Sequence, residues 1–280
     1  MSVSFQTKFT RLAAQRSPVC VGIDPSADAL KGWGLADDAA GLRAFCQRMV
    51  KVCAPLVASI KPQAAFFERH GPEGMAVLRD TVAQSHAHGT LAIIDAKCGD
   101  ISTTAAAYGE AFLGPRSPFG GDALTVSAYL GYAALAPIFD IARREAAGLF
   151  VVVRSSNPEG TDLQHAVMTD GRSVAERLAD DIAADNAGAL DNGLGPIGAV
   201  VGGTLGAEVA ALAARMPSAL LLVPGIGAQG ATIADVRHNF AEHFPRVIPS
   251  ISRSIATAGP DPDALRRQVE RQIAEIGAAA

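Results

Sequence analysis

Several protein classes are set aside by what this sequence lacks. Only four of its 280 residues are cysteine, and Cys20, Cys46, Cys53 and Cys98 form no C-x-x-C pair. They read as reduced thiols packed like small apolar side chains, not as disulfides or zinc ligands. No run approaches the roughly 18 apolar residues of a membrane span, and the opening MSVSFQTKF has no apolar stretch of the secretory kind. A cytoplasmic protein is expected. Basic charge is not in excess: 24 Lys and Arg against 28 Asp and Glu give a net charge of -4 and a pI near 5.9, which favours neither nucleic acid nor an anionic membrane as partner. The six histidines are scattered without the spacing of a metal-binding helix, and His165, alone in a polar loop, is assigned nothing.

What is present is a regular alternation. Short apolar or β-branched runs at Val19 to Asp24, Leu56 to Lys61, Leu91 to Asp95, Ala123 to Ser127, Leu149 to Arg154, Ile197 to Val201, Leu220 to Val223 and Val247 to Ile251 read as buried strands. Helical stretches separate them, near Asp38 to Val52, Pro72 to His88, Thr103 to Phe112, Tyr132 to Ala147, Ser173 to Leu190, Ala207 to Ala214 and Thr232 to Phe240. An eighth runs from Pro262 to Ile276. Ser173 with Glu176 fits a capping box, and Asp261 before Pro262 fits an N-cap followed by proline. Eight such repeats without a Ser-, Pro- or charge-rich linker predict a single α/β domain over residues 1–280, a (β/α)8 TIM barrel. The open doubly wound sheet is weaker, because the first strand leads into CVGIDPS and not G-x-G-x-x-G.

In such a barrel the chemistry gathers at the C-terminal strand ends. The third predicted strand, LAIIDAKCGDI from Leu91 to Ile101, delivers Asp95, Lys97 and Asp100 within six residues. If it stays extended through Lys97, then Leu91, Ile93, Asp95 and Lys97 share one face, placing charges where core side chains belong. Asp24, Lys61 and Ser127 end neighbouring strands with polar groups. Converging polar ends define a candidate site at the C-terminal rim.

Two further loops point to phosphate. Pro224 to Gly230 is glycine-rich and precedes a helix that Thr232 caps, and Arg253 follows the eighth strand. Glycines let backbone N–H groups approach an anion, and arginine adds a bidentate clamp. The connection Ser155 to Arg172 contains SSNPEG and no evident helix; its length suits a lid or a merely disordered loop.

Lys97 between Asp95 and Asp100 is expected to be a charged ammonium, which suits proton donation and not Schiff-base chemistry. Lys61 adds a second ammonium where an oxygen ligand for a divalent metal would be needed. A fixed ammonium beside carboxylates can stabilise and protonate a carbanion, as decarboxylation requires, with binding energy drawn from a remote phosphate. The plain structural alternative is a salt-bridge network without a reaction.

The pattern Asp95-x-Lys97-x-x-Asp100-Ile101, with Lys61, Asp24, the Pro-Gly-x-Gly loop, the SNPEG segment and Arg253, resembles the orotidine 5'-phosphate decarboxylase family in its longer bacterial form. The resemblance runs from about Phe9 to Ala258. It implies a cofactor-free conversion of orotidine 5'-monophosphate to uridine 5'-monophosphate and carbon dioxide in pyrimidine synthesis. Lys97 would be the proton donor, and Lys61, Asp95 and Asp100 would complete a charged tetrad. Asp24 and Lys61 would hold ribose hydroxyls, Ser127 would read the pyrimidine, and Gln229 and Arg253 would hold the phosphate. It also implies a homodimer in which Asp100 and Thr104 reach the neighbouring subunit's site. Two positions depart from the family pattern: Cys98 where arginine is frequent, and Ala128 where proline is frequent. A magnesium-dependent phosphosugar decarboxylase or aldolase on the same barrel, and a nucleotide-binding barrel without chemistry, are the competing readings.

Overall fold

The structure is a computed structural model that describes residues 3–278. Eight parallel strands close into a barrel in sequence order: β1 (Cys20–Ile23), β2 (Ser59–Pro62), β3 (Leu91–Cys98), β4 (Ala123–Val126), β5 (Gly148–Arg154), β6 (Ile197–Val201), β7 (Leu221–Val223) and β8 (Val247–Ile251). A parallel strand in a barrel is covered on both faces, which is why these segments are nearly continuous apolar runs. All eight expected strands are present, shifted at most by three residues at an end. Two ends shift by three: β3 runs on to Cys98, and β2 starts late because Ala54–Leu56 first winds into a 3-10 turn and pairing begins at Ser59.

Side chains sort into two apolar cores. Outward-facing residues such as Val21, Ile60, Ile94, Leu124 and Val151 pack under the helices. Inward-facing residues, among them Cys20, Leu91, Ile93, Ala123, Phe150, Val200 and Ile248, fill the barrel, together with Phe5, Phe9 and Leu12. Those last three lie on a helix the sequence reading did not anticipate, Phe5–Gln15, capped by Ser4. Its Phe5 ring meets Phe150 edge-on at 5.8 Å between centroids. This helix stoppers the N-terminal end of the barrel with hydrocarbon, so charges at the opposite end stand on an apolar floor.

The expected caps are in place. Ser173 and Glu176 form a reciprocal capping box, and the Asp261 carboxylate accepts from the Ala264 amide at 2.8 Å. Thr232 forms a second box with Asp235. The helix expected to reach Leu190 stops at Asn186, whose side chain instead bonds both backbone groups of Ile197 at the start of β6. The stretch from Tyr132 is split: a 3-10 turn, Tyr132–Leu135, precedes the helix Ala136–Glu145, which has proline in its first turn. Pro137 has no N–H with which to continue a helix from behind. The Ser155 to Arg172 connection also differs from expectation, since it contains a 3-10 turn at Pro158–Gly160 and a helical turn at Thr161–Gln164. Among the described residues no helix is long and apolar enough to cross a membrane.

Candidate active site

The charged centre lies where β2, β3 and β4 end. Lys61, on β2, is 5% exposed and its Nζ donates to Asp95 Oδ2 at 2.6 Å. Lys97 Nζ donates to the other oxygen, Asp95 Oδ1, also at 2.6 Å. Asp95 is 6% exposed, so a single buried carboxylate bridges two ammonium groups. Burial alone would push Lys61 down, but Asp95 and then Asp24 outweigh it and hold the ammonium above the usual lysine range. Burial would likewise push Asp95 up, and the two lysines reverse this and hold its carboxyl well below the usual range. The pair is ionised throughout the physiological range.

Strand β3 does not run straight through this centre. Ile94 pairs with Leu124 and Cys98 with Val126, so three residues of β3 oppose Thr125 alone. Within this bulge Lys97 takes φ +50°, the left-handed region, which costs roughly 1–2 kcal/mol for a non-glycine residue. The expectation that Lys97 shares an extended face with Leu91, Ile93 and Asp95 is therefore corrected. Asp95 points into the barrel as expected, while the bulge rotates Lys97 onto the rim, where its side chain is half-exposed and reaches back to Asp95. Bulges of this kind re-aim side chains, and here one turns the ammonium to the open rim.

Beyond the bulge, Gly99 passes so close to β4 that a Cβ would lie 2.3 Å from the Ser127 carbonyl oxygen. The chain then turns outward. Asp100 forms no ion pair with another described residue; its Oδ1 accepts from the Ile101 amide at 2.7 Å. Within one chain the array is thus Lys61, Asp95 and Lys97, and Asp100 stands apart from it. Thr104 is exposed on the helix Ser102–Phe112.

On the other side of Lys61, Asp24 follows β1. Its Oδ2 accepts from Ser252 Oγ at 2.5 Å, and its Oδ1 is buried without a partner. Gly22 permits this approach, since a Cβ there would fall 2.5 Å from that of Ser252. A cavity of about 330 Å³ opens beside the pair, lined by Asp24, Ser26, Trp33, Ser252 and Arg253 among others. Arg253 is exposed and has no carboxylate partner among the described residues. Gln229 lies at the tip of the Pro224 to Gly230 loop, where Gly225, Gly227 and Gly230 all have positive φ. Its Oε1 accepts from Ser156 Oγ at 2.9 Å, tying this loop to the start of the long connection after β5. Gln229 and Arg253 line different cavities.

The sequence reading missed three residues that organise the site. Thr125 and Ser252 hydrogen-bond to Asp95 and Asp24. Arg154, 5% exposed at the end of β5, grips its own long loop through the Ser155 carbonyl and the Gln164 side chain, with Glu208 2.9 Å from its Nε. The strand alternation could have flagged Thr125, two residues after the inward-facing Ala123, and the arginine closing LFVVVR was visible. The four cysteines are free and buried. Burial, aided by Glu68, pushes the Cys98 thiol up to about 12, which leaves it unreactive beside the charged centre.

Residues 17–268 match the profile of the Orotidine 5'-phosphate decarboxylase / HUMPS family. The chain belongs to this family. An orotidine 5'-phosphate decarboxylase of Myxococcus xanthus is 48% identical over 270 residues, covering 96% of this chain and 94% of its own. One from Streptomyces coelicolor is 49% identical over 274 residues, covering 97% and 96%. Among solved structures, a putative orotidine 5'-phosphate decarboxylase from Streptomyces avermitilis superposes with a TM-score of 0.93 at 48% identity, over 99% of this chain and 96% of that one. The Leishmania donovani OMP decarboxylase gives 0.79 at 30% identity, over 99% and 98%. Within the orotidine 5'-phosphate decarboxylase family, this chain thus stands with the carboxy-lyases. Its barrel brings together Lys61, Asp95 and Lys97 in one cluster and Asp24 and Arg253 around one cavity, and it leaves Asp100 and Thr104 facing outward. Ser127 is half-buried at the end of β4, with its amide bonded to the Cys98 carbonyl at 2.8 Å.

Proposed function

We propose that this chain decarboxylates orotidine 5'-monophosphate to uridine 5'-monophosphate and carbon dioxide in the cytoplasm, as a step of pyrimidine biosynthesis. The observation that carries the reading is the Lys61–Asp95–Lys97 cluster, with both ammonium groups fixed on one buried carboxylate. The bond from the ring carbon C6 to its carboxylate breaks, carbon dioxide departs, and the electron pair stays on the ring. Lys97 stabilises that charge and gives C6 a proton. Its donors are in position before the charge develops, which is the condition for effective electrostatic stabilisation. No metal, imine or other cofactor takes part. Lys61 and Asp24 hold the ribose, with the unpartnered Asp24 Oδ1 as acceptor. Ser127 reads the base, while Arg253 and Gln229 bind the phosphate.

The site is completed by a second copy of the chain in a homodimer, through Asp100 and Thr104. Two features support this: Asp100 has no cationic partner among the described residues of its own chain, and the adjoining loops expose Ile101, Tyr129 and Leu130 at 55%, 79% and 56%. A magnesium-dependent barrel enzyme is disfavoured because Lys61 occupies the strand end where an acidic ligand would be needed. Among the described residues no three His, Cys, Asp or Glu side chains gather as a metal site. The test follows orotidine 5'-monophosphate by absorbance, with and without EDTA, for wild type and Lys97→Ala. Turnover that is insensitive to EDTA and abolished in the variant is expected. Absence of wild-type turnover, or an undiminished variant, refutes the proposal.

A further inference from the structure

We infer that Thr125 is a positioning residue for the reaction, its hydroxyl locking the β3 bulge so that Asp95 and Lys97 hold one fixed relation. The bulge sets Asp95, Ala96 and Lys97 against a single residue of β4, so the Lys97 amide has no regular ladder carbonyl to meet. That amide donates to Thr125 Oγ1 at 3.0 Å. The same hydroxyl lies 2.9 Å from Asp95 Oδ1. Because a backbone N–H can only donate, the hydroxyl accepts from Lys97 and is left with its own proton to give to Asp95. One side chain, 1% exposed, therefore fixes the backbone of the proton donor and the carboxylate that pairs with its ammonium. Backbone bonds hold the two ends of the bulge, from the Ala64 amide to the Asp95 carbonyl at 3.1 Å and from the Ser127 amide to the Cys98 carbonyl at 2.8 Å. Without the Thr125 hydroxyl, the part-buried Lys97 N–H between them loses its partner at a residue already held in the left-handed region.

The kinetic part of this inference rests on the decarboxylase reading; the structural part does not. Thr125→Val keeps the β-branched shape and removes only the hydroxyl, whereas Thr125→Ser keeps the hydroxyl. In crystal structures of wild type and T125V, the variant is expected to show Lys97 out of the left-handed region or its Nζ withdrawn from Asp95. In assays with orotidine 5'-monophosphate, T125V is expected to lower kcat by about 10- to 100-fold. KM should stay within about threefold, because the groups that bind phosphate and ribose are on other strands. T125S should recover kcat to within about threefold of wild type. Thr125→Ala serves in both arms if T125V does not fold. The inference is overturned if the valine variant keeps the Lys97 backbone and its contact with Asp95, if its kcat stays within about twofold of wild type, or if T125S is as impaired as T125V. A wild type without turnover sinks the proposed function instead, and the crystallographic arm still decides the role of Thr125.

Discussion

Asp95→Asn separates charge from shape at the centre of the site. The amide is nearly isosteric and can still accept a hydrogen bond, but among the described residues it removes the negative charge bonded to Lys61, whose Nζ lies 2.6 Å from Asp95 Oδ2. Both side chains are under 10% exposed, so solvent offers little compensation to an ammonium left behind. Removing one partner of a buried pair costs roughly 3–5 kcal/mol. Asp24 still faces Lys61, and the single amide oxygen can turn to Lys61 while the half-exposed Lys97 swings away from the amide NH2, so the low end applies, about 3 kcal/mol. With a urea dependence near 3 kcal/mol per molar, the midpoint should fall by about 1 M at pH 7. The single tryptophan, Trp33, is buried with its indole N–H on the Ala256 carbonyl, and its fluorescence should report unfolding alongside far-UV circular dichroism. The pH dependence is fixed in sign. The depressed carboxyl of Asp95 contributes stability that is present above the unfolded carboxylate value, about 3.9, and is lost as pH falls through its folded value. The raised ammonium of Lys61 contributes stability that is fully present below the unfolded lysine value, about 10.4, and is lost as pH rises through its folded value. The gap between wild type and D95N should be level from about pH 5 to 9 and narrow on both sides. A variant within about 0.3 M of the wild-type midpoint at pH 7, or a gap that widens in alkali, refutes the reasoning.

Two further outcomes address the proposed function. Mixing Lys97→Ala and Asp100→Ala subunits should restore activity, because each mixed dimer regains one complete site; random mixing gives about a quarter of the wild-type rate. Persistent inactivity despite demonstrated mixed dimers speaks against a shared site. Arg253→Met keeps much of the side-chain length and removes the charge. It should raise KM for orotidine 5'-monophosphate by about 10- to 100-fold and change kcat less, and an unaltered KM would remove Arg253 from the phosphate site.

The barrel was legible because its signal is long and repeated: eight apolar runs, each too short for a helix, alternating with helices whose caps sit where Ser173, Thr232 and Asp261 mark them. Strand ends blurred where local chemistry intervened, as in the 3-10 turn before β2. The helix Phe5–Gln15 escaped notice because its value to the fold is tertiary. Phe5, Phe9 and Leu12 have their partners inside the barrel, and nothing near them in sequence announces that. In the site, the identities of Lys61, Asp95 and Lys97 could be read directly, since charges that end buried strands demand an explanation. Their geometry could not. The bulge that turns Lys97 depends on the register between β3 and β4, a property of two strands and not of either one. The same holds for Thr125 and Ser252, ordinary polar residues whose importance comes only from what stands opposite them.

The hydrocarbon stopper beneath the barrel has a consequence for traffic. With Phe5, Phe9 and Leu12 closing the lower end, the described residues leave the charged centre open at the rim on which Lys97 stands half-exposed. Under the proposed chemistry, nucleotide, departing gas and the proton that recharges Lys97 all use that opening. A product lodged there stands between the spent amine and the solvent. Recharging then follows product departure, and each catalytic cycle acquires a fixed order from the plumbing of the fold alone.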